Sequence, residues 1–331
     1  MRGADRGGKR IAERTDNEHM SQHAMTIGEL AELLHESPEF LERHADQLLG
    51  RHALEYEPLT DAEREQTILQ VLRRLDGDLK VSGSHRAQEW QQGWQENLDA
   101  YRQQGAAESL VPRYFGKPEN RDVARLMGRF VRSAEPGFII ALCELQRTWM
   151  MLRFLRGHES VYEFGCGTGW NLLRLAELDP GVKRLVGLDW AESAVNLVNA
   201  IGADKGLPLT SKRFDFFHPD DTLEVPPGSA MFTLTALEQV GDGFQPFLDF
   251  ALSKRFALCV HVEPVIEFYE EDSLFDYLGM RYHTRRNYLG RMLTALRQME
   301  ARGLVEIVYA QRIAMGNVFS ENVSTIVWRP I

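Results

Sequence analysis

Val161-Tyr162-Glu163-Phe164-Gly165-Cys166-Gly167-Thr168-Gly169-Trp170 is the stretch of sequence that decides the fold. An apolar, β-prone run leads into three glycines spaced two apart, and a helical pattern follows over 168–178. Glycine allows positive φ and lets a ligand approach the backbone closely. The start of a helix offers unpaired N–H groups to such a ligand. The stretch therefore predicts a buried strand, a tight nucleotide-binding turn and a helix N-terminus.

From residue 159 onward, short apolar strands alternate with amphipathic helices. This rhythm predicts an α/β domain over residues 157–331 with a doubly wound, seven-stranded sheet. The expected strands are 160–164, 184–188, 213–216, 231–235, 258–262, 305–311 and 323–328, and the expected helices are 168–178, 191–203, 244–253 and 284–302.

The last two predicted strands, 305–311 and 323–328, are joined by a loop without a helical pattern. They therefore predict an antiparallel terminal hairpin, with one edge strand running against the others. Ligands of such sheets bind at the carboxyl ends of the strands, where the glycine turn lies.

The glycine turn departs from the common phosphate-binding motifs. A dinucleotide site has the spacing G-x-G-x-x-G and a P-loop ends in G-K-[ST], whereas this turn reads Gly165-x-Gly167-x-Gly169 with no following lysine. The carboxylate of Glu163 would repel a phosphate but suits an α-ammonium group. The turn therefore favours a ligand with an amino group.

Two further acidic residues occur at the ends of the next two predicted strands. Asp189 ends Val186-Gly187-Leu188-Asp189, where a carboxylate can accept hydrogen bonds from both ribose hydroxyls. Asp215 lies in Arg213-Phe214-Asp215-Phe216, where it can accept one from an adenine amino group. Aspartate is common at strand ends, so it is the set of Glu163, Asp189 and Asp215 in this order that indicates a nucleoside site.

Residues 159–262 resemble the core of the class I (Rossmann-like) S-adenosylmethionine-dependent methyltransferases. The resemblance rests on Glu163-x-Gly165-x-Gly167-x-Gly169, then Asp189, Asp215 and Thr235-Ala236-Leu237-Glu238-Gln239, and the terminal hairpin resembles the family's sixth and seventh strands. It implies S-adenosylmethionine as the cofactor. The residues that it implies for the cofactor site are Glu163 and the glycines for the methionine moiety, Asp189 for the ribose, and Asp215 with Phe216 for the adenine, with Trp190 and Glu238 alongside. Trp170 and Trp190 are larger than the residues often found there and either flank the cofactor or pack.

The methyl acceptor would lie near the ends of the fourth and fifth strands. Ala236-Leu237-Glu238-Gln239 lacks the [DN]-P-P-[FYW] segment that similar enzymes use on base amines. Alternation places His261 and Glu263 on the same side of the fifth strand, so we predict His261 as a general base that Glu263 orients. A buried histidine bonded to backbone is the alternative. No third ligand accompanies this pair, so no metal site is predicted.

An acidic and aromatic insertion, residues 264–283, would lie over the acceptor or form a solvated surface helix. Residues 25–156 predict a mostly α-helical region on the substrate side, preceded by a disordered leader over 1–24. Helices are expected after Thr26 and Thr60, each with capping-box spacing, and over 84–104, 119–133 and 137–156. The stripe Trp90, Trp94, Leu98 and Tyr101 is more typical of a core than of a ligand surface, and the loop with Arg113, Tyr114 and Lys117 could grip an anion.

Composition restricts the class of protein. A net charge of −10 argues against nucleic acid as a partner. No apolar run approaches the roughly 20 residues of a membrane span. Three cysteines without a CxxC pair fit a reducing cytoplasm. The sequence leaves a homodimer open.

These patterns together predict a cytoplasmic methyltransferase acting on a small-molecule acceptor, such as a sugar, a secondary metabolite or an amino-acid derivative. Oxygen is favoured over nitrogen because of His261. The alternatives are an N-methyltransferase for an amine or peptide drawn to the acidic segment 267–276, and a non-catalytic protein that binds S-adenosylmethionine and serves as a scaffold.

Overall fold

A computed structural model describes residues 23–50, 54–105, 107–112, 123–133 and 137–331. A seven-stranded sheet organises the second half of the chain, in the order β10-β12-β9-β8-β5-β6-β7. Its strands are β5 (Ser160–Phe164), β6 (Arg184–Asp189), β7 (Leu209–Arg213), β8 (Ala230–Leu234), β9 (Leu258–Glu263), β10 (Val305–Gln311) and β12 (Ser324–Pro330). The helices are α7 (Trp170–Leu178), α8 (Glu192–Lys205), α9 (Gln245–Lys254), α10 (Leu274–Arg286) and α11 (Met292–Ala301).

The predicted seven-stranded α/β sheet with a terminal hairpin is confirmed, with one difference. The antiparallel strand is β12, which lies between β9 and the edge strand β10 and is not itself the edge. The carboxyl ends of β5, β6, β8 and β9 meet at one side of the sheet, because these strands are parallel. Both faces of the sheet are packed against apolar clusters, as parallel strands require.

Residues before β5 are mostly helical, as predicted, but they also contain a second sheet. The helices are α1 (Ile27–Leu34), α2 (Pro38–Arg43), α3 (Ala45–Leu49), α4 (Asp61–Asp76), α5 (Ala87–Gln104) and α6 (Phe138–Met150), which continues into a π turn over Met151–Leu155. Both predicted capping boxes are present, at Thr26 and at Thr60. The strands are β1 (His23–Ala24), β2 (Glu55–Pro58), β3 (Val123–Leu126) and β4 (Arg129–Arg132), joined by β11 (Met315–Asn317) in the order β1-β2-β4-β3-β11.

The helix predicted over 119–133 is wrong for its described part, which forms the hairpin β3–β4. Met127 and Gly128 both have positive φ, and this two-residue turn matches the twist of paired strands. The strand β11, which pairs with β3, comes from the connection between β10 and β12. A partner so distant in sequence leaves no local signal.

Three further predictions change in detail. The third strand is Leu209–Arg213 and shares only Arg213 with the predicted 213–216, because the chain leaves the sheet at Phe214, which packs in an aromatic cluster with Phe164. The helix predicted over 284–302 is two helices, because Asn287 adopts a left-handed conformation that ends α10. The leader predicted as disordered over 1–24 lies outside the described residues except for β1, which pairs with β2.

The loop with Arg113, Tyr114 and Lys117 also lies outside the described residues, and its role stays a prediction. None of the helices in the described ranges is both long and apolar enough to cross a membrane.

Candidate functional site

The glycine turn after β5 is closely surrounded by other parts of the chain. Gly165, Gly167 and Gly169 all have positive φ. A Cβ on Gly165 would lie 2.3 Å from Cβ of Ala236, and one on Gly167 would lie 3.0 Å from the Trp94 ring. The contact at Gly165 excludes any side chain, the one at Gly167 would require the Trp94 ring to shift, and the positive φ favours glycine at both positions.

Glu163 lies at the end of β5 with its side chain almost fully buried. Its Oε1 accepts a hydrogen bond from Asn171 Nδ2 at 2.6 Å, but its Oε2 has no hydrogen-bond partner. Burial raises the pKa of this carboxyl to about 8, against the attraction of Asn171 and of the Arg147 guanidinium. A buried carboxylate oxygen without a donor is costly, and an ammonium group of a ligand would satisfy it.

Asp189 ends β6 and joins two loops. Its Oδ2 accepts from Gly167 N and its Oδ1 from Ala191 N, both at 2.9 Å. Burial raises its pKa to about 6, although these backbone N–H groups favour the ionised form. Each oxygen retains a lone pair, so the carboxylate can still accept the hydroxyl groups of a ribose.

Aromatic side chains from α5 lie over this loop pair. Trp90 and Trp94 are stacked with ring centroids 5.4 Å apart, and Trp190 packs with them against Ala191 and Ala194 of the β6–α8 segment. The expectation of a core role for the stripe fits Leu98 and Tyr101, which belong to the main apolar cluster. Trp94 also touches Gly167, a contact that the sequence did not indicate.

Asp215 and Phe216 follow β7 and differ in their surroundings. The Asp215 side chain is 43% exposed, and its carboxylate accepts from Phe217 N at 2.9 Å in an Asx turn. The ring of Phe216 packs on Phe247, and its edge lies 3.6 Å from the Cβ position of Gly165. The structure thus brings Phe216 to the glycine turn, whereas Asp215 faces the solvent beside it.

Glu238 lies in the turn after β8 in a mixed polar and aromatic cluster. Its Oε1 accepts from Gln239 Nε2 at 2.8 Å, and Gln239 in turn accepts from Arg86 Nη1 at 2.8 Å. Its Oε2 has no hydrogen-bond partner, and among the positive charges around it Arg286 lowers its pKa most. Burial, followed by repulsion from Glu263, raises that pKa to about 8.

Glu263 and His261 do lie on the same side of β9, as alternation predicts, but neither is accessible to solvent. The Glu263 carboxylate accepts from the backbone N–H groups of Ala236, Leu237 and Glu238 at 3.1, 3.0 and 3.1 Å. It therefore holds the turn that carries Glu238.

His261 is enclosed in the sheet. Its Nδ1 lies 3.0 Å from Thr233 Oγ1, and its ring stacks on Trp328 and meets the edge of Phe247. Burial lowers its pKa to about 3, so the ring is neutral at physiological pH. Its role as a general base stays a prediction, and these contacts fit the buried-histidine alternative.

The sequence missed three residues of this region. Arg147 of α6 stacks on Trp170 and lies near Glu163, Arg86 hydrogen-bonds to Gln239, and Arg286 lies against Tyr288. Arginines on predicted helices look like surface charges, and only the packing of those helices on the sheet buries them. Among the described residues, no group of three or more His, Cys, Asp or Glu side chains is arranged to hold a metal ion.

A surface groove of about 350 Å³ lies elsewhere, over one face of β5, β6 and β7. It is lined by Tyr162, Lys183, Arg184 and Lys212 among others, and by none of the predicted site residues. Strand topology places nucleotide sites at the carboxyl ends of the strands, where the glycine turn is.

The strand order, with a single antiparallel strand inside the sheet, is that of the class I methyltransferase fold. The chain is similar to the [4+2]-cyclase SpnF over 77% of this chain and 98% of that one, with 14% identity and a TM-score of 0.46. It is similar to geranyl diphosphate methyltransferase in complex with SAM over 64% and 98%, with 11% identity and a TM-score of 0.42. It is also similar to the methyltransferase domain of bacterial CtHen1-C, over 52% of this chain and 89% of that one, with 17% identity and a TM-score of 0.39. No family model and no curated protein sequence matches the chain.

Proposed function

We propose that this chain binds S-adenosylmethionine at the glycine turn and transfers its methyl group to a small-molecule acceptor. The observation that carries the proposal is the Oε2 atom of Glu163, which is buried beside a turn of positive-φ glycines and has no donor. A ligand with a cationic or hydrogen-bond-donating group would satisfy that oxygen. The residues present therefore fit the methionine end of this cofactor.

Each residue of the site has a binding or positioning role in this proposal. Glu163 would receive the ammonium group and Asp189 the ribose hydroxyls, while Phe216 and Trp190 would border the adenine and Asp215 its amino group. When bound, the cofactor supplies a methyl group already activated on a sulfonium. The protein then contributes alignment and the exclusion of water, which α5 with Trp94 provides above the turn.

For the acceptor, we propose a hydroxyl group on a small molecule. The net charge of −10 disfavours nucleic acid. An amine or peptide acceptor remains a second candidate, because the described insertion carries exposed carboxylates such as Glu270 and Glu271. A non-catalytic scaffold would retain cofactor binding without turnover, and we further propose a cytoplasmic location.

Calorimetry with S-adenosylmethionine and its demethylated product tests the cofactor. We expect binding of both, and a loss of about 1–3 kcal/mol of binding free energy in Asp189→Ala, the scale of hydrogen bonds to a charged group. Asp179→Ala, which removes a loop carboxylate at the other end of α7, is the matched control and should bind normally. Absence of heat and of any thermal shift with either compound would refute the proposal, and unchanged affinity in Asp189→Ala would remove Asp189 from the site.

A further inference from the structure

Glu238 stands out among the polar side chains near the glycine turn because charged groups from three separate parts of the chain act on it. Gln239 beside it is bonded to Arg86, which precedes α5. Arg286, at the end of α10, is the positive charge that most strongly lowers the pKa of Glu238. The Glu238 side chain is therefore placed where the N-terminal region, the sheet edge and the insertion meet.

The turn that carries Glu238 is fixed in position. Glu263 accepts three consecutive backbone N–H groups of this turn, so its backbone cannot shift without breaking hydrogen bonds to a buried carboxylate. Ala236, two residues before Glu238, packs directly on Gly165. The turn is thereby held against the residues that would bind the cofactor.

One oxygen of Glu238 is held and the other is left without a partner. Gln239 donates to Oε1, whereas Oε2 accepts no hydrogen bond. The residue is only 7% exposed, so Oε2 is buried. A buried oxygen of this kind is costly unless a ligand supplies a donor. The rings of Tyr282 and Tyr288, between which the Arg286 guanidinium lies at 5.8 and 5.0 Å, give this cluster apolar walls.

We propose that Glu238 is the catalytic base for the acceptor, which is a small, flat, uncharged molecule with a nucleophilic O–H or N–H group. The acceptor donates that hydrogen to Oε2 of Glu238 and lies against the tyrosine rings. As the new bond from its oxygen or nitrogen to the methyl carbon forms, the carbon–sulfur bond breaks and its electron pair stays on sulfur. The proton lost from the acceptor passes to Glu238. This assignment rests on the proposed methyl transfer and replaces the use of Glu238 for the cofactor.

The charges around Glu238 are consistent with this role. Arg286, Arg86, Glu263, Tyr282 and Tyr288 are the titratable or charged groups that act on it. The carboxyl with a pKa of about 8 is a stronger base than an exposed glutamate. His261, the other candidate base, has a pKa of about 3 and lies between Trp328 and Phe247.

Glu238→Gln tests the proposal, since glutamine preserves the size and the acceptor oxygen for Gln239. Wild type and variant are incubated with deuteromethyl-labelled S-adenosylmethionine and the small-molecule fraction of a cell extract, and labelled products are quantified by mass spectrometry. We expect the variant to bind the demethylated cofactor as wild type does in calorimetry and to label about 10²–10⁴-fold less product. Glu65→Gln, an exposed glutamate of α4, is the matched control and should label as wild type does.

The pH profile gives a second readout. Labelling by wild type should rise with pH with a midpoint near pH 8, as the Glu238 carboxyl ionises. Equal labelling by Glu238→Gln and wild type would overturn the proposal, as would a loss in His261→Gln that Glu238→Gln does not share. Cofactor binding without any labelled product in wild type would also overturn it while leaving the cofactor site intact. Failure to bind cofactor at all would instead refute the proposed function.

Discussion

At the scale of single residues, the site is unusual for its buried carboxyl groups. Glu163 and Glu238 each keep one oxygen without a hydrogen-bond partner, and burial raises the pKa of both to about 8. Such groups lower the stability of the ligand-free protein when they ionise. Ligand groups that satisfy them should therefore bind and stabilise the fold at the same time.

These carboxyl groups predict how stability depends on pH. Their pKa values are raised above the unfolded value of 4.5, so the folded state holds the extra protons and stability falls as pH rises through the window from 4.5 to 8. His261 and His283, whose pKa values burial lowers to about 3, act in the opposite sense, but only below about 6.5. Between pH 6.5 and 8 the carboxyl groups of Glu163 and Glu238 contribute most of the change, and Glu263, whose pKa burial raises to about 7, adds a smaller change of the same sign.

We therefore expect the free energy of unfolding of the ligand-free protein to fall by about 2–4 kcal/mol from pH 6.5 to 8, at up to about 1.4 kcal/mol per group and pH unit. Glu163→Gln should remove about half of this fall, which urea unfolding at the two pH values would measure. The exposed Glu177→Gln serves as control. A pH dependence equal to that of wild type would show that Glu163 does not ionise in this range.

At the scale of elements, β9 controls the turn after β8. Its last residue, Glu263, supplies both carboxylate oxygens to the N–H groups of residues 236–238. These hydrogen bonds fix Ala236 and Glu238 relative to a central strand of the sheet. Glu263 thus accepts backbone N–H groups of the turn through its side chain, as Thr26 and Thr60 do at the starts of α1 and α4.

Glu263→Gln should break this link, because the new amide group would face the N–H of Glu238 or of Ala236 and Leu237. At pH 8 we expect a loss of about 2–3 kcal/mol in the free energy of unfolding, the scale of charged hydrogen bonds, and weaker binding of the demethylated cofactor. Urea unfolding and calorimetry measure the two effects.

Glu267→Gln is the matched control. Glu267 also accepts backbone N–H groups, from Leu293 and Thr294, but at the start of α11. It should lose stability and keep cofactor affinity. If both variants bind cofactor equally well, the turn after β8 does not shape the cofactor site.

Elements with a local signal could be predicted from the sequence. Three patterns of only a few residues predicted local structure correctly: the capping boxes at Thr26 and Thr60 and the apolar run before Gly165. The hairpin at Met127 and Gly128 could not be predicted, because its strands depend on pairing with β2 and β11.

The candidate site was predictable to the same extent. Glu163 and Asp189 lie at the carboxyl ends of β5 and β6, and the glycines follow β5 directly, so topology alone brings them together. Arg86 and Arg286 reach Glu238 only through the packing of α5 and α10, which no spacing in the sequence encodes. His261 carried the right alternation, but burial decides its chemistry and depends on Trp328 and Phe247.

At the scale of the whole molecule, a buried ionic cluster joins the two sheets. Arg312, after β10, makes two hydrogen bonds of 2.6 Å to Asp276 of α10 and two, of 2.7 and 3.0 Å, to Glu321. Arg125 of β3 is fully buried against the same two carboxylates and stacks on Phe275. Ion pairs therefore connect the insertion, the terminal hairpin and the N-terminal sheet.

Asp276→Asn should destabilise the protein by about 3 kcal/mol, because it removes a compensating charge from the fully buried Arg125 guanidinium and from the partly buried Arg312 guanidinium. Urea unfolding at pH 7 measures the change, and Asp272→Asn, an exposed residue just before α10, is the control. If the variant unfolds as one transition with this loss, the sheets form one cooperative unit. A loss below about 0.5 kcal/mol would show that the cluster does not contribute to stability.

The pairing of β11 with β3 has a consequence for how the chain is made. The N-terminal sheet lacks its last strand until Met315–Asn317 has left the ribosome, after most of the larger sheet has been synthesised. Until then β3 lacks its β11 partner, and Arg125 lacks its partners Asp276 and Glu321 until those residues have been synthesised. During synthesis the open edge of β3 is a surface to which a chaperone or a second nascent chain can add a strand.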